Sequence, residues 1–592
     1  MEKKFFLALI LSFILIWGIS FVNRSRKEKN IDTPQKSEEV ETKPEVQEAK
    51  SDEEILFDED ISTFEQEYPI EEIVEETDLF RVVFSTVGGV ALDIELLKEH
   101  DEGEPLSMVL DGDAETGTFN FSFGDNNEKY ILNPFSHERI QKGREVIHRF
   151  SRDFARNGQQ FKLTKSYRLI PGEYIIELII GLETSNGKAV PLLDEDRSAY
   201  TLTYGPQIGP RFEKIDGQYE IRENIAWGPD SQSGKLKRRI FRNRFGLFRR
   251  RDGSAEKKLF QTSDTVKWAA VVGKYFAVIV DPGSGNSKIT WDNNPVEGQP
   301  EASRLQISKP ARRQSVIEDE YIFYIGPLDK RILNRYNSAE DNAFGISGMG
   351  LQNAPKSSAL LSWLENPLKF LLELFYAIIP NYGVAIILLT FLIKALLFPL
   401  THKSYKSTSR MQAIQPQMAK LKEQYKNDPR KLNSKTAELY KKEGINPMSG
   451  CFPILLQIPV FITLYRLLNN YFPLRGATFI SGWINDLSAP EAIVQFDKGI
   501  TFFGAHYDAI RLLPFLYLIG QFLTTKVTQA GYAGGQSGSQ QKIMAFGFPI
   551  FLFFVLYNMP SGLLLYWTAM NLITIGQQMI TNYTKKKKEA KN

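Results

Sequence analysis

The chain reads as a multidomain membrane protein in which a large all-β sandwich domain outside the cytoplasm is joined to an α-helical bundle of six spans, N-in and C-in. Three observations predict this class. Apolar runs of span length crowd the C-terminal part, and short alternating or β-branched runs separated by Gly, Pro and Asn fill the middle. Charge is also sorted along the chain: residues 31–78 are densely acidic, whereas 402–446 carry eleven Lys/Arg against four acids. The net charge of +2 conceals that segregation, and 592 residues are too many for one ordinary domain.

Taken in order, Phe5–Val22 is an apolar run preceded by Lys3 and Lys4 and followed by Arg24, Arg26, Lys27 and Lys29. It exceeds the usual signal-peptide core of about 7–15 residues and no clean A-x-A site follows, which favours an uncleaved anchor over 1–23. A cleaved signal ending near Gly18-Ile19-Ser20 is the alternative. The acidic tract that follows, within 24–78, has too few apolar residues to offset chain entropy and reads as a flexible linker.

From Leu79 the pattern becomes strand-like, in runs such as FRVVFSTVGG, EYIIELIIGLET and KYFAVIVDPGSG, and one large sandwich ends near Leu328 inside a domain spanning 79–345. Within it, Lys235–Arg251 interleaves cations with Phe, as nucleic-acid patches do. Outside the cytoplasm such a patch suits anionic lipid or a partner protein, and no direct DNA binding is expected. Residues 354–379 mix Trp363, Phe370, Phe375 and Tyr376 with Glu365, Lys369 and Glu373, the pattern of an interfacial amphipathic helix.

The membrane core, 380–584, opens with Gly383–Leu400, which is apolar except for Lys394. A cation at the centre of a span costs about 2.5–3.5 kcal/mol on insertion scales. Either the stem snorkels toward His402–Lys403, about 12 Å along a helix, or it faces a wet recess. The basic segment 402–446 then reads as a cytoplasmic helical hairpin. Met411, Ile414, Met418, Leu421 and Tyr425 form its first seam, Pro416 is expected to kink that helix, and Asn427-Asp428-Pro429 makes the turn. Further spans are Phe452–Phe472, Leu512–Thr525, Ile543–Tyr557 and Gly562–Ile580, before a basic cytoplasmic tail at 585–592. Counting outward from the basic hairpin places both termini inside and the β domain outside.

Polar side chains within the spans are candidates for lining a recess: Gln457, Tyr465, Gln521 and the pair Tyr566-Trp567. Hydrogen bonding between helices or anchoring at the interface is the simpler role for each. Arg466, near the outer end of its span, is expected to snorkel. The single cysteine, Cys451, excludes an internal disulfide framework, and the five histidines show no metal-ligand spacing. No motif indicates an enzyme or a cofactor; GSGNSK at 283–288 lacks the spacing of a phosphate loop.

The runs TFLIKALLFPLTHKSY, QPQM, NPMSGCFPILLQIPVF and PSGLLLYW, in that order, resemble the YidC family of membrane protein insertases, over about Leu361 to Thr584. The family usually carries arginine where this chain has Lys394, so the charge is kept and the bidentate fork is lost. The resemblance implies a bacterial inner-membrane protein with residues 24–379 mainly periplasmic, inserting nascent integral membrane proteins alone or beside the Sec translocon, without nucleotide hydrolysis. It also implies a hydrophilic groove, open to cytoplasm and lipid, at Lys394, Tyr465, Gln521 and Trp567. Cytoplasmic contacts with nascent chain, ribosome or targeting factors would fall to Lys420, Lys422, Arg430, Lys431 and Lys585, Lys586, Lys587 and Lys588. Two rival classes are a transporter, which would show repeats in paired halves, and an anchored extracytoplasmic chaperone whose β domain does the work.

Overall fold

The structure is a computed structural model that describes residues 61–589 apart from 64–66, 102, 114, 116, 125–129, 157–158, 192–197, 213–219, 229–258, 263–265, 295–301, 356–361, 445–451, 503–504 and 530–545. The expected anchor, most of the acidic linker, the basic stretch Lys235–Arg251 and Cys451 lie outside the described residues. The chain divides into two compact units. In the smaller, Ile61–Thr63 pairs antiparallel with Phe154–Arg156. Apart from the ends of two strands, everything below concerns the larger.

Its β domain is more elaborate than one sandwich. A long antiparallel sheet runs in the order Glu145–Arg156, Gln159–Leu169, Ile175–Glu183, Val316–Pro327, Phe276–Asp281, Trp268–Val272 and Glu223–Trp227, with Ser136–Lys142 paired to the first strand. Two smaller sheets cover one of its faces. The five-stranded sheet brings Tyr200 onto Asp319 and Tyr321, with oxygen separations of 2.6 and 2.8 Å. The four-stranded sheet brings Phe84 onto Phe150 and Tyr167, at ring separations of 5.8 and 4.9 Å. Alternation on Gln159–Leu169 explains the layering, because Phe161, Leu163, Lys165, Tyr167 and Leu169 all point inward. Lys165 survives in this core because its ammonium donates to the carbonyls of Gly88 and Phe119 at 2.9 and 2.7 Å.

A titratable chain sits where the four-stranded sheet meets the long one. His137 and His148 share a ring-nitrogen hydrogen bond of 3.0 Å, His148 reaches Glu75 at 3.0 Å, and Arg139 donates twice to the same carboxylate. Burial pushes both imidazoles below their ordinary value. Burial raises Glu75, but Arg139 and His148 outweigh it and hold the carboxyl below its usual range.

The helical part follows. Helix α1, Ser362–Ile378, is amphipathic as expected: Leu368 and Leu372 are buried while Trp363, Phe370, Leu374 and Ile378 form an exposed apolar face. Helix α2, Tyr382–Ala413, passes without interruption from the apolar run into the basic segment. Helices α3, Gln415–Gln424, and α4, Pro429–Lys442, make the hairpin. Pro416 does not kink the first of these from within. The chain breaks at Ile414 and Pro416 falls in the opening turn of α3, where a missing N–H costs nothing. Asp428 caps α4, accepting from the Lys431 amide at 3.0 Å.

Helix α5 is Phe452–Asn470, α6 is Leu512–Gln529, α7 is Phe548–Leu556 and α8 is Ser561–Glu589. Among the described residues, one helix is long and apolar enough by itself to cross a membrane, at Tyr382–His402. Of the expected span Ile543–Tyr557, Phe548–Leu556 is α-helix and 543–545 lie outside the described residues. Between α5 and α6 lies a hairpin, Val494–Phe502 against Ala505–Ile510, that sequence periodicity did not reveal. Arg466 extends its side chain to Glu365 of α1, at 3.9 Å, and is mostly buried.

Segment 471–491 ties the starts of three helices together. The Asn381 side chain, just before α2, donates to the Phe479 carbonyl at 3.3 Å. The amides of Ser561 and Gly562 donate to Ala489 and Leu487 at 2.8 and 3.0 Å. Glu491 accepts from the Leu513 amide in the first turn of α6 at 2.7 Å.

Two outcomes follow from these packings. At Gly383 a Cβ would lie 2.1 Å from the Phe479 ring, so Gly383→Ala is expected to destabilise the helical part by about 1–3 kcal/mol, read as a lower Tm in detergent. In the β domain, the unfolded imidazoles gain protons below pH of about 6.5 while the folded ones resist. Its Tm should therefore fall between roughly pH 7.5 and 5.5, continuing as Glu75 protonates, and His148→Gln should flatten the upper part of that slope.

Candidate functional site

The site is built where α2, α5, α6 and α8 present polar side chains within an otherwise apolar bundle. Helix α8 packs against the other three. On α2, Thr390 and Lys394 lie one turn apart and are buried in the bundle, while Leu396, on the opposite side of the helix, is exposed, as are Phe391 and Phe398. Lys394 is 8% exposed and, among the described residues, has no ion-pair or hydrogen-bond partner. Its burial distinguishes the two readings left by the sequence, since a stem lying along the outside of the bundle would be accessible. Thr390 has closed its hydroxyl onto the Ile386 carbonyl at 2.6 Å.

Helix α8 contributes a second polar row. Asn571, Thr574 and Gln578 are buried and spaced three and four apart, so they share one face. The Asn571 amide donates to the Tyr517 carbonyl of α6 at 3.4 Å, and its Cβ side fits against Gly520, where an added Cβ would meet it at 3.3 Å. One residue earlier, Met570 accepts a contact from the Gln457 amide of α5. Gln521, the next residue after Gly520, is half-buried, and its carbonyl accepts from the Thr525 hydroxyl at 2.9 Å.

These contacts fix a level in the bundle. Ile386 of α2 and Gly562 of α8 lie side by side, as a Cβ at Gly562 would sit 3.4 Å from Ile386 Cδ1. Eight residues further along each helix, about 12 Å of rise, are Lys394 on α2 and Met570 on α8. Lys394, Gln457, Gln521 and Asn571 thus belong to one polar layer, contributed by four helices.

Aromatic rings pack beside this layer. Trp567 stacks on Phe461 at 4.4 Å with ring planes 2° apart, and on Tyr517 at 5.6 Å. Phe461 stacks in turn on Tyr465 at 6.5 Å. Of the four residues expected in the groove, Tyr465 and Trp567 are joined by Phe461, Gln521 lies one turn beyond Tyr517, and Lys394 enters from α2. Pro459 interrupts the hydrogen bonding of α5 at this depth, and Thr463 donates back to its carbonyl at 2.8 Å.

The structure adds Thr390, Asn571, Thr574 and Gln578 to the site. Their signal was available in the sequence, as polar residues three or four apart within Gly562–Ile580. The cytoplasmic candidates Lys420, Lys422, Arg430 and Lys431 are exposed on the hairpin, with the Lys431 ammonium 5.8 Å from the Tyr425 ring centre. The backbone of 585–588 continues α8; side chains there lie outside the described residues.

A β-rich domain followed by a helical bundle with a buried cation defines the class, and comparison with known proteins gives the family. Residues 374–589 match the family model described as 60Kd inner membrane protein. The chain is 35% identical to the membrane protein insertase YidC of Treponema denticola, over 99% of this chain and all of that one. It is 33% identical to the insertase of the same name from Treponema pallidum, covering 86% of this chain and 85% of the other. The chain belongs to the YidC family. A crystal structure of an active YidC insertase aligns over 88% of this chain and 94% of its own, at 16% identity and a TM-score of 0.33.

Trp567 is the residue whose packing joins α5, α6 and α8. Trp567→Ala should lower stability by roughly 2–4 kcal/mol, seen as a reduced Tm in detergent, and Trp567→Phe should recover most of it.

Proposed function

We propose that this protein inserts nascent integral membrane proteins into the bacterial inner membrane, and that the polar layer around Lys394 receives the hydrophilic part of the substrate. The observation carrying this reading is a cation, Lys394, buried within the helical bundle with no ion-pair or hydrogen-bond partner among the described residues. A structural lysine in such a place would be expected to hold a carboxylate. One kept for a transient partner must leave its charge available.

In this reading six spans hold both termini in the cytoplasm and 24–379 mainly in the periplasm. The anchor is 1–23, the linker 24–78, the β domain 79–345 and the interfacial helix 354–379; the core is 380–584, with its hairpin at 402–446 and the tail at 585–592. Lys394, Tyr465, Gln521 and Trp567, with Thr390, Asn571, Thr574 and Gln578, line a groove open to cytoplasm and lipid. An acidic or polar tail enters from the cytoplasm and exchanges water for side-chain amides, hydroxyls and the Lys394 ammonium, which lowers its desolvation cost. The apolar segment leaves sideways into lipid, and its transfer is the driving force, so no nucleotide is required. The expected span Ile543–Tyr557, about 22 Å at 1.5 Å per residue, favours local thinning of the bilayer beside the groove. Lys420, Lys422, Arg430 and Lys431, with Lys585–Lys588, meet the ribosome, nascent chain or targeting factor, and the core acts alone or beside the Sec translocon.

The test is reconstitution in protein-free liposomes, with a single-span substrate carrying an acidic tail and protease protection as readout. At an effective dielectric near 20, a carboxylate about 10 Å from Lys394 is attracted by roughly 1.7 kcal/mol. Lys394→Ala is therefore expected to slow insertion by on the order of tenfold, and Lys394→Glu by more, while a neutral-tailed substrate is affected less. Wild-type rates for both variants with every substrate would remove Lys394 from the mechanism.

A further inference from the structure

The segment between α5 and α6 is held from both sides. Toward the bundle it meets the starts of three helices: Phe479 fills the space over Gly383 of α2, Leu487 and Ala489 accept the first amides of α8, and Glu491 accepts from α6. Ser561 adds its hydroxyl to the Asp486 carbonyl at 2.6 Å. Toward the β domain it extends Arg475. The guanidinium Nε donates to Asp101 at 3.0 Å, and its two terminal nitrogens reach the Glu220 carboxylate and the Arg211 carbonyl. All three of its nitrogens thus face acceptors of one domain, a fork that a lysine would not reproduce. Three residues earlier Phe472 meets Phe276 edge-on at 4.7 Å and Tyr275 at 5.2 Å.

Arg475 is mostly buried, as are Asp101 and Glu220. A buried charged pair is costly to break from one side, because the partner is left unpaired. The segment is short, and beyond Arg475 it reaches the polar face of the bundle by way of Phe479. Thr390, seven residues past Gly383 on α2, lies about 10 Å below that lid and one turn before Lys394.

We infer that Arg475 is a positioning residue for insertion: by bolting segment 471–491 to the β domain, it keeps the outer end of the groove shut. The inference rests on the groove reading above. The β domain, on this view, serves the membrane core as a fixed abutment for its outer lid, without touching substrate. Releasing Arg475 lets the lid lift from Gly383 and opens a water path toward Thr390.

The experiment uses the full-length chain in proteoliposomes, scored on molecules whose β domain faces outward. Cys451→Ser removes the native thiol and Thr390→Cys supplies a reporter for a membrane-impermeant maleimide added outside. Labelling should be slow with Arg475 intact. Arg475→Ala is expected to accelerate it by on the order of tenfold, Arg475→Lys by less, and Asp101→Asn with Glu220→Gln should match the alanine variant from the opposite side. The β-domain Tm is followed in parallel, and every variant is labelled well below it. Labelling within about twofold of the parent for both Arg475→Ala and the Asp101/Glu220 pair, with the β domain folded, would overturn the inference. If one of these proteins fails to fold, the other decides alone. Insertion by the wild type in the same vesicles separates the two ideas: wild-type inactivity counts against the groove, whereas active wild type with unaltered labelling counts against the lid.

Discussion

Keeping a cation inside a protein that lies in lipid constrains almost everything else in the bundle. An ammonium transferred from water to a medium of low dielectric loses solvation worth several kcal/mol even after relaxation. The bundle meets this constraint by placing Thr390, Gln457, Gln521 and Asn571 around the level of Lys394, while Leu396 on the opposite side of the same helix is exposed. Side-chain amides and hydroxyls offer dipoles without a fixed counter-charge. A carboxylate in the same place would stabilise the lysine more and leave it nothing to attract.

The same constraint explains which features were legible in the sequence. Lys394 stood out because one charge interrupts a continuous apolar run, and the hairpin stood out because eleven cations gather between two apolar segments. The amphipathic helix 362–378 and the strand alternation of the β domain were equally plain. The row Asn571, Thr574 and Gln578 was less visible, since small polar residues in a span more often bond their own backbone, as Thr574 does to the Met570 carbonyl at 2.7 Å. Pro416 misled because a proline within a helical pattern signals a kink and a first-turn proline alike, and only the break at Ile414 separates them. The partner that Arg466 reaches, Glu365, is about a hundred positions away and could not be read from the sequence.

The β domain shows a different limit. Its strands are local and could be read one by one, but which sheets share a face depends on pairings across as many as 150 residues, such as Leu178 with Tyr321. Its attachment to the bundle depends on contacts longer still, with Arg475 and Asp101 separated by 374 positions. Neither composition nor periodicity carries such information. The outcome is a domain whose inner face is satisfied by aromatic rings and whose contacts with segment 471–491 combine the Arg475 fork with the packing of Phe472 on Tyr275 and Phe276.

Helix α2 holds one further feature. It is 32 residues long, about 48 Å, and contains Pro399 five positions beyond Lys394. Proline cannot donate to the carbonyl four residues back, so the rod carries a soft point between its apolar half and its basic half. Bending of α2 at that point would tilt the basic half while the segment around Lys394 kept its place among its neighbours.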